Sequence, residues 1–326
     1  MKKQRVVVVG GGTGQATMLR GLKNIDEIEL TAIVTVADDG GSTGRLRRSF
    51  NIPAMGDLRN VMIAMAESES LLADLMSYRF ENTGEISSEL SGHNLGNLIL
   101  TALTQTSGSF MEALTRISNV LNIKGDILPS TSQVITLFAE MEDGTIVRGE
   151  SNIPKLRNRI RNVFYEEEVR ATRQALEAIS NADYILYGIG SLYTSILPNL
   201  IIKEIGEAIR NSKAIKIYFC NAMTQPGETA GYCMEEHVQA IFDHGDNPVD
   251  IVVFANDSIP AEVLDRYEDT DAQRVTMRDS EHPYIVVSTD MLRFDGGLVR
   301  HDSGKIKQVM EYLLRSEAMS CLLPPM

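Results

Sequence analysis

Cysteine is scarce: Cys220, Cys233 and Cys321 are the only three in 326 residues, an odd number without C-x-x-C spacing. That excludes a disulfide framework and a zinc site of the usual spacing, and fits a reducing compartment. Long apolar runs are missing too. The opening Met-Lys-Lys-Gln-Arg leads into only four valines before Gly10, too few for the apolar stretch of a secretion signal. No run approaches the roughly 18 residues that span a bilayer. A cytoplasmic protein without membrane insertion is expected. Positive charge is short as well: 31 Lys and Arg against 44 Asp and Glu leave a formal charge of -13. Nucleic-acid backbones demand concentrated Lys and Arg to displace counterions, so no nucleic-acid partner is expected. There is no internal repeat, low-complexity tract or Pro-rich linker.

What is present is the composition of a folded globular chain, with 43% hydrophobic and 23% charged residues. Arg5 to Val9 and Ile28 to Val36 are uniformly apolar runs separated by a helical pattern from Gln15 to Lys23. Such a unit reads as two buried parallel strands joined by a crossover helix. Tyr184 to Tyr187, Ala214 to Phe219 and Asp250 to Phe254 repeat the strand pattern, with helices near Ile196 to Arg210, Cys233 to Phe242 and Pro260 to Tyr267. The spacing predicts an α/β fold with a doubly wound, mostly parallel, Rossmann-like sheet. Between the halves, Asp57 to Tyr78, Leu95 to Thr106 and Phe110 to Leu121 have helical periodicity, and Gln133 to Glu140 and Thr145 to Gly149 flank the turn Glu142-Asp143-Gly144. The expected organisation is one α/β domain over 1–326 that carries a helical and hairpin insertion at 56–150.

Two glycine-rich turns stand where ligands bind in such sheets. Gly10-Gly11-Gly12-Thr13-Gly14 and Gly188-Ile189-Gly190-Ser191 each follow an apolar run and precede a helical pattern. Free N–H groups at a helix start, approached through glycine, suit phosphate. The first turn lacks the third glycine of a dinucleotide fingerprint, whose place falls on Gln15, so NAD(P) is the weaker ligand expectation. After the second strand, Asp38, Asp39, Ser42, Thr43 and Arg45 gather carboxylates, hydroxyls and a cation. Asp38 and Asp39 are candidate Mg²⁺ or sugar ligands. Asp57 is placed to cap a helix whose first turn holds Arg59 and Asn60, an unfavourable place for a cation unless an anion arrives. His93 and Asn97 open another helix, and Ser191 and Thr194 add hydroxyls to the second glycine turn. Asn221 to Thr229 forms a polar loop at a further strand end. Tyr267 and Arg300 offer an aromatic face for a base and a cation for a phosphate. No general base with a named partner is visible, which favours binding over catalysis.

In order, Gly-Gly-Gly-Thr-Gly at 10–14, Val-Ala-Asp-Asp-Gly-Gly-Ser-Thr-Gly-Arg at 36–45, Gly-Asp-Leu-Arg-Asn at 56–60, Gly-His-Asn-Leu-Gly-Asn at 92–97 and Gly-Ser-Leu-Tyr-Thr-Ser-Ile-Leu-Pro-Asn at 190–199 resemble the YvcK-type gluconeogenesis factors. These are relatives of the CofD-type 2-phospho-L-lactate transferases, which use a nucleoside-diphosphate-activated substrate and a divalent metal. The resemblance implies a doubly wound fold and binding of UDP-sugars such as UDP-N-acetylglucosamine. It also implies a role in growth and cell shape on gluconeogenic carbon sources. It places the nucleotide on Gly11, Gly12, Thr13, Asp38, Asp39, Asn60, Asn97, Gly190, Ser191 and Thr194, with Tyr267 and Arg300 as further contacts. Ser42, Arg45 and His93 complete the candidate phosphate-binding set. A transferase of a phosphate-linked group, assisted by Mg²⁺, is the alternative function, and a homo-oligomer is left open.

Overall fold

The computed structural model describes residues 3–67, 71–81 and 89–316. The chain opens with β1 (Gln4–Gly10), α1 (Gly12–Leu22) and β2 (Ile28–Val34), then runs through five helices: α2 (Gly41–Phe50), α3 (Gly56–Met65), α4 (Leu71–Ser77), α5 (Leu95–Ser107) and α6 (Phe110–Leu121). β3 (Asp126–Pro129), β4 (Phe138–Met141), β5 (Ile146–Arg148) and β6 (Ile160–Phe164) follow. The second half holds α7 (Arg173–Asn181), β7 (Tyr184–Tyr187), α8 (Leu197–Leu200), α9 (Lys203–Asn211), β8 (Ile215–Phe219), α10 (Met234–Asp243), β9 (Ile251–Ala255) and α11 (Ala261–Leu264). It closes with β10 (Ile285–Thr289), the hairpin β11 (Leu292–Asp295) and β12 (Leu298–His301), and α12 (Ser303–Arg315).

The main sheet has seven parallel strands in the order β10-β9-β8-β7-β1-β2-β3. Its central strands are apolar on both faces because helices cover both: Val6, Val8, Val9, Ile185, Leu186, Tyr187, Val252 and Val253 are fully buried. The chain builds outward from β1 through β2 to β3, then returns to the other side of β1 with β7. The order therefore reverses between β1 and β7, the place where such sheets leave a crevice at their carboxyl ends.

Sequence periodicity located β1, β2, β7, β8 and β9 well, since each is an uninterrupted apolar run. It did not separate the stretch from Ile196 to Arg210, which holds a π-helical turn at Leu192–Ile196, then α8 and α9. The Asp57–Tyr78 helix is likewise two, α3 and α4, and residues 68–70 between them lie outside the described residues. Five strands escaped it: β3, β6, β10 and the hairpin β11–β12. β3, which joins β2 at the sheet edge, is four residues with Asp126 and Pro129 at its ends. The hairpin β4–β5 gains β6 as a third antiparallel strand. β10 is half-exposed at the opposite edge. Cys220 and Cys233 are buried thiols, and Cys321 lies outside the described residues. No described helix is long and apolar enough to cross a membrane.

Candidate functional site

The two glycine turns meet at the switch point. Val9 pairs with Tyr187 across adjacent strands, and Gly188 N–H donates to Val9 O at 2.9 Å. Beyond the strand ends the turns touch backbone to backbone: a Cβ on Gly14 would lie 2.0 Å from Ile189 O and 2.9 Å from Gly190 Cα. Side-chain amides lock this arrangement. Asn199 Nδ2 donates to Gly10 O at 3.0 Å, Asn221 Nδ2 to Gly190 O at 2.8 Å, and Gln225 Nε2 to Ser191 Oγ at 2.6 Å. Gln15, in the place of the missing third glycine, is fully buried and donates to both Val8 O and Ile33 O at 3.0 Å. It clamps β1 to β2. Thr13 is exposed at the start of α1.

One side of the crevice is acidic. Asp57 does not cap α3; Met55 occupies the N-cap position and Asp57 sits in the first turn. Its carboxyl faces the start of α1 instead, where the Gly12 amide favours its charged form, and a Cβ on Gly11 would fall 2.6 Å from its Oδ2. Side-chain-free residues let the carboxyl close on amides that the start of α1 leaves unpaired. Those are the amides expected to cradle a phosphate, so Asp57 already fills part of that cradle. Asp38 Oδ1 accepts from Gly40 N at 2.8 Å and Asp39 Oδ1 from Ser151 N at 2.9 Å. The Asp39 bond ties in the 3₁₀ turn Glu150–Leu156 and brings Glu150 to the group. Behind the second glycine turn, buried Glu228 accepts from Thr194 Oγ1 at 3.1 Å.

Crowding these acids makes them hard to ionise. Burial, then the charge of Asp38, pushes Asp57 up to about 7. Burial followed by Asp38, Asp57 and Glu228 lifts Glu150 to about 8. Burial raises Glu228 to about 7 against its hydrogen bonds, and raises Asp38 despite donors at Gly40 and Thr43. Carboxyls that exchange a proton near neutrality can serve as acid or base. Among the described residues no three His, Cys, Asp or Glu side chains converge closely enough to cage a metal ion. Mg²⁺ needs only one or two carboxylates when water and phosphate complete its shell. The mutual repulsion of Asp38 and Asp57 is one that a shared cation would relieve. Asp38 therefore fits such an ion, with Asp39 or Asp57 beside it and the ligand's own phosphates as further donors.

The other side is basic. Asn94 caps α5 by accepting from Asn97 N at 3.1 Å, which sets Asn97 against Arg59 and Thr43. Buried Arg59 donates to Asn97 Oδ1 at 3.1 Å and Asn60 Oδ1 at 2.7 Å, neutral acceptors both. Ser42 Oγ lies 3.1 Å from His93 Nδ1. Arg45 donates to Ser91 O at 3.0 Å and Arg79 to Gly92 O at 2.8 Å. Burial, then Arg45 and Arg79, lowers the His93 pKa. Arg47, by contrast, turns inward to Ala37 O, Asp38 O and Ile135 O and supports the loop from behind.

Thus Gly11, Gly12, Asp38, Asp39, Ser42, Asn60, His93, Asn97, Gly190, Ser191 and Thr194 are brought to one region. Tyr267 hydrogen-bonds Val299 N through its hydroxyl at 2.8 Å, next to exposed Arg300 on β12. Among the described residues no hydrogen bond or ion pair links either of them to the glycine turns. Sequence reasoning passed over Arg79, Glu150 and Glu228 as ligand-facing groups. Glu228 stood inside a polar loop already noticed, but nothing local marked Arg79 or Glu150. Cavities of about 450 Å³ beside Tyr165, Lys203 and His244 and about 550 Å³ beside Gln4, Asp26 and Arg315 lie away from this crevice, so convergent chemistry, not concavity, picks out the site.

The fold and crevice together define a doubly wound α/β protein with a polar crevice at its switch point. The chain matches the family 2-phospho-L-lactate transferase CofD over residues 6–292. It is 46% identical over 315 residues to the gluconeogenesis factor of Halalkalibacterium halodurans, covering 95% of this chain and 96% of that one. It is 43% identical over 319 residues to the gluconeogenesis factor of Bacillus subtilis, covering 96% and 99%. A crystal structure of a Bacillus halodurans member of the UPF0052 family superposes with a TM-score of 0.89 at 45% identity, covering 95% of this chain and all of that one. The chain belongs to the CofD family, and within it to the gluconeogenesis factors.

Proposed function

We propose that this protein binds a nucleotide sugar, UDP-N-acetylglucosamine or a close UDP-sugar, and acts as a regulatory factor in growth and cell shape on gluconeogenic carbon sources. The observation that carries this reading is the crevice itself. Two glycine turns fused backbone to backbone at the switch point give a nucleotide close access, with hydroxyls of Ser42, Ser191 and Thr194 around it. Mg²⁺ at Asp38 would neutralise the diphosphate against the acidic side and orient it. The setting is the cytoplasm, and neither nucleic acid nor membrane is a partner. Incubation with UDP-N-acetylglucosamine and Mg²⁺, followed by nucleotide analysis, tests the reading. Tight binding with intact ligand recovered is expected, and absence of binding would sink it.

One observation favours a second reading, transfer of a phosphate-linked group from a nucleoside-diphosphate-activated donor, as the family name suggests. Asp57 and Glu228 titrate near neutrality, so either is able to take a proton from an attacking hydroxyl. Release of the nucleoside phosphate in the same incubation, dependent on an added acceptor, would establish it.

A further inference from the structure

Several exposed arginines of this acidic chain pair with a carboxylate: Arg116 with Glu112, Arg157 with Asp271, Arg161 with Glu140, Arg173 with Glu177 and Arg315 with Glu27. Others form no ion pair among the described residues, and three of these gather at the crevice: exposed Arg45 on α2, buried Arg59 on α3 and exposed Arg79 beside the loop before α5. Among the described residues each donates only to carbonyl or amide oxygens. Arg59 is 9% exposed, and its Nε has no acceptor at all. A buried guanidinium held by neutral oxygens alone is costly unless an anion completes it. Arg79 adds positive charge beside Arg59, Asp57 and Asp38 offset that from the acidic side without bonding it, and His93 feels both Arg45 and Arg79. Ser42 Oγ faces the same imidazole, and α5, thirteen residues long, starts at Leu95 with its positive end behind them. The first glycine turn, by contrast, is closed on by the Asp57 carboxyl with Asp38 beside it, a poorer place for an anion that has no cation with it.

We infer that Arg45, Arg59, Arg79 and His93 form a phosphate subsite, and that the diphosphate of the bound nucleotide rests there, not on the amides of the first glycine turn. The ligand's position rests on the nucleotide-sugar reading above; the subsite does not. Its ligand class is a phosphate or diphosphate ester, gripped by planar guanidinium forks that match phosphate oxygens in pairs. The subsite also explains why Arg59 stands in a helix first turn, where its charge opposes the dipole.

Calorimetric titration of inorganic pyrophosphate into the full chain tests this. Arg45→Ala and Arg79→Ala alter exposed side chains, so the fold survives. Each is expected to weaken pyrophosphate about tenfold or more. Arg173→Ala, which removes an equal charge from the exposed surface of α7, should leave affinity unchanged. The His93 ring resonances should shift during the titration in the parent protein and not in Arg79→Ala. Failure of the parent protein to take up pyrophosphate overturns the inference, as does equal affinity in the two arginine variants. So does a gain of affinity in Asp57→Asn without loss in the arginine variants, which would put the anion on the glycine turn. UDP-N-acetylglucosamine is titrated in parallel. If pyrophosphate binds and the nucleotide sugar does not, the proposed function falls while the subsite stands; the reverse pattern removes the subsite alone.

Discussion

Glu228 is a carboxyl whose proton is shared unequally between folded and unfolded chains. Burial lifts it from 4.5 to about 7, so between those values the folded state holds a proton that the unfolded state releases. Stability from this group is full below the unfolded value and declines as pH rises through the window to about 7. Glu228→Gln keeps the shape and an acceptor for Thr194 while removing the ionisation. It is expected to flatten the loss of stability between pH 5 and 8 by up to roughly 3 kcal/mol, read from denaturant midpoints at both pH values. An identical pH dependence in parent and variant would show that Glu228 stays ionised in the fold. Asp38 is the complementary case, a partly exposed acid facing the ligand. Asp38→Asn keeps an acceptor for Gly40 N and should weaken UDP-N-acetylglucosamine binding more than it lowers stability, and calorimetry with a melt separates the two. Unchanged affinity would remove Asp38 from the site.

At the scale of elements, α1 is the strut that fixes the crevice. Its Gly14 meets the second glycine turn and its Gly21 meets Ser303 O, where a Cβ would lie 2.1 Å away. Gly14→Ala therefore forces two backbones apart, since Ile189 O has no side chain to swing aside. A cost of about 1–3 kcal/mol is expected, with nucleotide-sugar binding lost in the protein that remains folded. A melting temperature equal to the parent's would mean that the turns separate freely. The β11–β12 hairpin is a second unit with its own test. Arg300→Ala and Tyr267→Ala are each expected to lower nucleotide-sugar affinity by roughly 1–3 kcal/mol. Tyr267→Phe, which breaks the bond to Val299 N, separates hairpin docking from base stacking, because the ring remains. Parent-like affinity in both alanine variants would leave this hairpin outside the site.

For the whole molecule, binding shows up as stability. A ligand at about 100 times its Kd raises the unfolding free energy by about 2.7 kcal/mol. UDP-N-acetylglucosamine with Mg²⁺ is expected to raise the melting temperature, whereas NAD, disfavoured because Gln15 occupies the third glycine place, is not. A larger shift with NAD would reverse the ranking of ligands.

The strands of the central sheet were legible because each is a short β-branched run, and burial on both faces demands that composition. The glycine turns were legible because backbone contact admits no side chain, and Gly14 shows it. The sequence by itself determined a doubly wound sheet, the two glycine turns at strand ends, and the polar segments after further strands; that the turns meet follows from the pairing of β1 with β7. Only the tertiary structure decided the charge map of the crevice. Asp57 looked like a helix cap because capping is local, yet its carboxyl packs against Gly11, 46 positions earlier in the chain. Glu150 arrives through the Asp39 tie to Ser151, and Arg79 through its bond to Gly92 O. Such groups carry no local signature, because electrostatic fields depend on distance in space and local sequence patterns report only distance along the chain.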